Sequence, residues 1–233
     1  MKNTKLEKLY LIDSKPELCD KWRQVFSSYP EVEILTGNYF QQSADAIVSP
    51  ANSFGIMDGG LDLAIRNELG FQIETDIQEV ILNKYHGEMP IGTAEIINTN
   101  HDRWSYMIAA PTMRIPENIA FTLNAYIAFR AILISINRFN EAQPKRPIKS
   151  LICSGLGTGI GSMEPVKCAA QMRAAYKLIK EPARISSFAE IHKSHPTLLT
   201  AGKGTGGRLI ALGYVLIIPP SHIKRNLDFS SRV

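Results

Sequence analysis

The apolar positions of this chain change period along its length, and each change marks an element. KLYLID (Lys8 to Asp13) reads as a short strand, and Ser14 and Pro16 follow where a cap and a first-turn proline belong. Leu18, Trp22, Val25, Phe26 and Tyr29 then recur at helical spacing. Val32 to Leu35 and Ala44 to Val48 read as strands around the turn-like GNYFQQS. Leu61, Ile65 and Leu69 form one helical stripe, and Ile73, Ile77, Val80 and Ile81 form another. AEIIN (Ala94 to Asn98) and YMIAA (Tyr106 to Ala110) are strands separated by the polar NTNHDRW. Asn118 to Asn140 is a long helical candidate, apolar enough to be largely buried, and the breaker segment QPKRP ends it. SLICS (Ser150 to Ser154) is a strand, followed by a glycine-rich loop and a helix from Pro165 to Lys180. Strands alternating with helices predict an α/β layered sandwich around a largely parallel sheet.

Beyond Pro182 this alternation weakens. AGKGTGGR reads as a basic loop, LIALGYVLII as an apolar run of strand length, and His192 and His195 fall in loop-like surroundings. The expected division is therefore a domain over residues 1–181 and a basic extension over 182–233. Charge supports it: residues 1–180 hold 19 Lys and Arg against 19 Asp and Glu, while 181–233 hold 7 against 3. The basic balance belongs to the tail, where a solvated surface accounts for it better than a nucleic-acid footprint. With 233 residues and 45% hydrophobic content the chain can bury one sizeable core. No apolar run approaches the ~20 residues of a membrane span, and MKNTKLEKLYLIDS lacks a secretory apolar stretch. Cys19, Cys153 and Cys168 have no CxxC spacing, and the histidines form no ligand cluster, so neither a disulfide framework nor a metal is expected. A cytoplasmic protein, or one exported without a classical signal, fits these features.

Two glycine loops carry the chemistry. GLGTGIGSMEP (Gly155 to Pro165) has glycine at four alternate positions between a strand and a helix. Glycines let successive N–H groups converge, and a helix N-terminus adds its dipole, which together cradle a phosphate. A plain strand-to-helix turn needs fewer glycines. The dinucleotide pattern GxGxxG fails at Ile160, and a Walker loop fails because Ser162 and Met163 follow Gly161. The other loop lies in IVSPANSFGIMDGGLDLAIRNELG (Ile47 to Gly70), where an apolar strand leads to Asn52, Gly59-Gly60 and Asp62.

DAIVSPANSFGIMDGGLDLAI resembles the macrodomain pattern of apolar strand, Ala-Ala-Asn, glycine-rich loop and Val-Asp-X-Ala-Ile. GLGTGIG resembles that family's Ser-Thr-Gly-Ile-Tyr/Phe-Gly loop, LTGNYF its Gly-Asp-Ile turn, and IGTAEIINT its Gly-X-Ala-X-X-X-Thr segment. The matches run in family order from Val32 to Lys180. The resemblance implies a three-layer α/β/α sandwich with a mixed sheet, and an ADP-ribose cleft at the carboxyl ends of its strands. Asn52, after Ala51, would bond the distal ribose. Gly59, Gly60 and Leu61 would clasp the diphosphate from one side, and Gly157, Thr158, Gly159, Ile160 and Gly161 from the other. Asn38 and Tyr39 would lie by the adenine. Backbone amides rather than Lys or Arg would recognise the anion, in keeping with the neutral body. Three departures stand out: Asn38 replaces the usual adenine-binding acid, Ser49-Pro50 replace Asn-Ala, and Gly161 replaces an aromatic that covers the ribose, which would leave the distal end open.

From position alone, Asp62 is an acid in a first helical turn with Arg66 four residues on, Asn52 a candidate Asx-turn residue, and Tyr39 as much a core ring as a stacking one. Family hydrolases carry an Asp at this offset and use it with the Asn. The resemblance thus implies an ADP-ribosyl hydrolase acting on a modified macromolecule, with Asp62 as potential base and Asn52 as positioner. A non-catalytic reader of ADP-ribosylation is the alternative. A binder of RNA or poly(A) ends through the same cleft is less favoured. ADP-ribose or an ADP-ribosylated macromolecule is the expected partner, with no membrane and no cofactor.

Overall fold

Leu9 and Leu11 of strand β1 (Lys8–Asp13) bury into one apolar cluster, and Ile12 into another. The same division runs through β3 (Ala46–Ser49), where Ala46 and Val48 face the first cluster and Ile47 the second. Likewise Leu151 and Cys153 of β6 (Ser150–Cys153) oppose Ile152. Strands apolar on both faces suit a parallel sheet covered by helices on each side. With β2 (Val32–Thr36), β4 (Glu95–Asn98) and β5 (Tyr106–Ala109), the sheet order is β2-β1-β6-β3-β5-β4. Every pairing is parallel except β4 with β5. Leu9 aligns with both Val32 and Leu151, and a one-residue slip would exchange the two cores.

The structure, a computed structural model, describes residues 6–202. Helices α1 (Pro16–Phe26), α4 (Asn124–Ala142) and α5 (Pro165–Lys180) fill the first cluster with Trp22, Phe129 and Tyr176 among others. Helices α2 (Gly60–Leu69) and α3 (Gln72–Tyr85) fill the second through Ile65, Ile73, Ile77 and Ile81. The three-layer sandwich with a mixed, largely parallel sheet is the observed architecture.

Some local expectations differ. Lys15, not Ser14, occupies the N-cap of α1, because the Asp13 carboxylate takes the Lys15 N–H at 3.0 Å. Helix α4 starts at Asn124 rather than near Asn118: the Asn118 side chain accepts the Ala120 N–H in an Asx turn, and the Ile119 N–H goes to Gly161 O. His192 and His195 lie on a helix, α6 (Phe188–Thr200), rather than in a loop. Its Ser187–Glu190 capping box nucleates it. The helix lies beyond the expected domain end at 181, and Gln171 of α5 donates to its Leu198 O at 3.3 Å. LIALGYVLII lies outside the described residues. No helix among the described residues is long and apolar enough to cross a membrane.

Candidate functional site

Parallel strands deliver their carboxyl ends to one edge, and the loops leaving β1, β2, β3, β5 and β6 enclose a cleft of about 470 Å³ there. This is the crevice where open α/β sheets bind ligands. Asn38, Tyr39, Ala51, Asn52, Gly59, Gly60, Leu61, Asp62 and residues 157–161 all line it, so the two glycine loops share one cavity.

The first loop is held by Asn52. Its Oδ1 accepts the N–H groups of Phe54 at 3.0 Å and Ile56 at 3.3 Å, and its Nδ2 donates to Ile56 O at 2.7 Å. The Asx turn thus exists, and it leaves Asn52 one amide N–H to offer elsewhere. Gly60 then takes a left-handed φ of 57°, which a glycine accepts without strain. Among the described residues, the N–H groups of Gly59, Gly60 and Leu61 donate to no protein acceptor.

The second loop leaves Ser154 and turns back on itself. Met163 donates to Gly157 O and Ser162 to Gly159 O, each at 3.0 Å. The N–H groups of Gly157, Gly159, Ile160 and Gly161 likewise have no protein acceptor among the described residues. Gly161 is glycine for a steric reason. A Cβ there would stand 2.6 Å from Gly157 O and 2.7 Å from Ile119. The missing aromatic is therefore a consequence of close backbone packing, and the segment carrying Met113 and Pro116 lines the cleft together with Ile160.

Asp62 also lines the cleft, but its partner is not Arg66, which pairs with Glu74 at 2.5 Å. Ser49 Oγ donates to Asp62 Oδ1 at 2.6 Å instead. Desolvation raises the Asp62 carboxyl to about 6; the Ser49 hydrogen bond opposes the rise and the nearby Asp58 charge adds to it. Tyr39 is buried in the second core, its hydroxyl donating to Val48 O at 2.7 Å with Ile152 O at 3.2 Å. It forms a wall of the cleft as a core ring. Asn38 spends one Oδ1 lone pair on the Phe40 N–H at 3.0 Å and keeps the other.

Sequence reading missed Asp13, Lys15 and Ser49. Asp13 Oδ2 accepts the Gly155 N–H at 3.2 Å, and the Lys15 ammonium donates to Thr158 O at 2.5 Å. The β1–α1 turn is thus tied twice to the second glycine loop. The signal available was position, since residues following a parallel strand reach the ligand edge. Ser154, 5% exposed and also on the cleft, has a buried hydroxyl without a partner among the described residues. Among the described residues no group of three His, Cys, Asp or Glu side chains is placed to hold a metal. Cys153 and Cys168 pack in the first apolar cluster, where burial pushes the Cys168 thiol up to about 12 and the Cys153 thiol well above its ordinary range, which favours the protonated form.

The chain is 30% identical over 169 residues to an uncharacterised protein of Aquifex aeolicus, covering 72% of this chain and 86% of the relative. An Aeropyrum pernix protein is 27% identical over 147 residues, covering 63% and 71%. Among solved structures, the macrodomain of Mycobacterium tuberculosis DarG superposes with a TM-score of 0.51 at 19% identity, over 61% of this chain and 88% of that one. A variant of the Oceanobacillus iheyensis macrodomain solved with ADPR gives 0.51 at 17% identity, over 63% and 77%. The family model described as macro-like domain matches residues 31–187, and the chain belongs to that family.

Proposed function

We propose that the cleft binds ADP-ribose and that the protein releases it from a modified macromolecule. One observation carries the binding: unused N–H groups from both glycine loops line a single cavity, as an extended diphosphate requires. The similar Oceanobacillus macrodomain variant was solved with ADPR. For the chemistry, Asp62 is the suited base. A carboxyl raised to about 6 is mostly ionised at neutral pH yet a better proton acceptor than an ordinary Asp. It takes the proton of the water that replaces the leaving group on the distal ribose, and the remaining Asn52 N–H fixes a ribose hydroxyl. The acid content of the cleft, Asp13, Asp58 and Asp62 against Lys15, disfavours a polyanionic RNA occupant.

The Ser49 bond and the first-turn position also suit a purely structural acid, which favours a reader as the second reading. Titration of ADP-ribose into wild type and Asp62→Asn, beside release assays on ADP-ribosylated proteins and nucleotides, separates the two. The hydrolase requires retained binding with release reduced ~100-fold or more. Unchanged release in the variant leaves the reader, and no ADP-ribose binding by the wild type overturns both.

A further inference from the structure

Among the described residues, the cleft that is to receive a diphosphate is lined by three carboxylates, Asp13, Asp58 and Asp62, and by one cation, Lys15. Backbone amides supply only partial charges, so a full positive charge beside them strengthens the hold on two phosphates brought near three acids. Asp13 is already engaged, one oxygen with the Lys15 N–H and the other with the Gly155 N–H. Lys15 is committed differently. Among the described residues its ammonium forms no ion pair, and its protein acceptor is the neutral carbonyl of Thr158. An ammonium has three donors, so two remain.

Thr158 sits between Gly157 and Gly159, both with free N–H groups, so the ammonium is held against the very loop that offers amides to an anion. The Asp13 bridges to the Lys15 and Gly155 amides fix the turn from which the side chain reaches across. We infer that Lys15 is a ligand of the diphosphate and makes this cleft select charged nucleotides over uncharged nucleosides, an inference that rests on the ADP-ribose reading for its physiological ligand.

The competing role is a latch that only steadies the loop. Lys15→Gln separates the two, because the amide still offers Thr158 O a donor but carries no charge. ADP-ribose, pyrophosphate and adenosine are titrated into full-length wild type, Lys15→Gln and Lys15→Arg over a range of salt. A charge contact predicts that Lys15→Gln loses about tenfold or more in affinity for both diphosphates, with a flatter salt dependence. Adenosine binding should hold, and Lys15→Arg should recover most of the loss. Equal losses for adenosine and ADP-ribose would assign Lys15 to the latch and overturn the inference, as would diphosphate affinities within about twofold of wild type. Wild type that binds pyrophosphate through Lys15 but not ADP-ribose would sink the nucleotide reading and leave the anion ligand standing; wild type that binds neither overturns both.

Discussion

Ser49, the last residue of β3, donates its hydroxyl to Asp62 in the first turn of α2 at 2.6 Å, joining sheet to helix at the rim of the cleft. The bond favours the carboxylate while desolvation favours the acid, and desolvation wins: the group titrates near 6 rather than its ordinary 3.8. A folded-state value above the unfolded one means that the stability Asp62 contributes is fully present below 3.8 and is lost as pH rises through about 6. Asp62→Asn imitates the protonated acid. Its melting temperature should exceed wild type above pH ~7, with the gain shrinking as pH falls through that range. Melting curves across pH test this, and a constant offset would show that Asp62 does not titrate there. Ser49→Ala should lift the carboxyl further and move the acid limb of any pH–rate profile upward.

Gly161 was expected to mark an open distal end that a tyrosine would cover. Its close approach to Gly157 O and Ile119 changes that expectation. Gly161→Tyr, and even Gly161→Ala, should cost ~1–3 kcal/mol through forced backbone movement. Both should weaken ADP-ribose binding, since the same loop holds the free amides. Thermal unfolding and titration together check it; a tyrosine variant of wild-type stability with tighter binding would restore the open-end picture.

Ser154→Ala removes a buried hydroxyl that has no partner among the described residues. Truncation of an unsatisfied polar group should stabilise the unliganded protein by up to ~1 kcal/mol. Denaturant unfolding measures this directly. A loss of similar size would mean that the hydroxyl is satisfied by bound solvent.

The fold was readable because its strands are apolar on both faces and its helices carry regular stripes; β6 and α5 begin where the pattern changes period. Both glycine loops were readable for the same reason, lying between a strand and a helix. What could not be read depends on pairs distant in sequence. Lys15 meets Thr158 across 143 residues, and Tyr39 reaches the carbonyl of Ile152 across 113. No local pattern singles out Lys15, and the i,i+4 spacing that offers Arg66 to Asp62 is overridden by Glu74, which takes the guanidinium. Helix α6 escaped because its large apolar residues, Phe188, Ile191, Leu198 and Leu199, are few and Pro196 and two histidines interrupt the pattern.

Strand β1 sits between β2 and β6, yet the span matched by the family model begins at residue 31, after β1 and α1 have ended. A gene fragment cut to the matched limits would therefore not encode a smaller working unit. It would withdraw an interior strand, strip β2 of its neighbour, and remove Trp22 and Phe26 from the larger core. Asp13 and Lys15 would go with them. For this chain the family match starts inside the sheet rather than at its edge, and β1 and α1, which precede that start, share the same core.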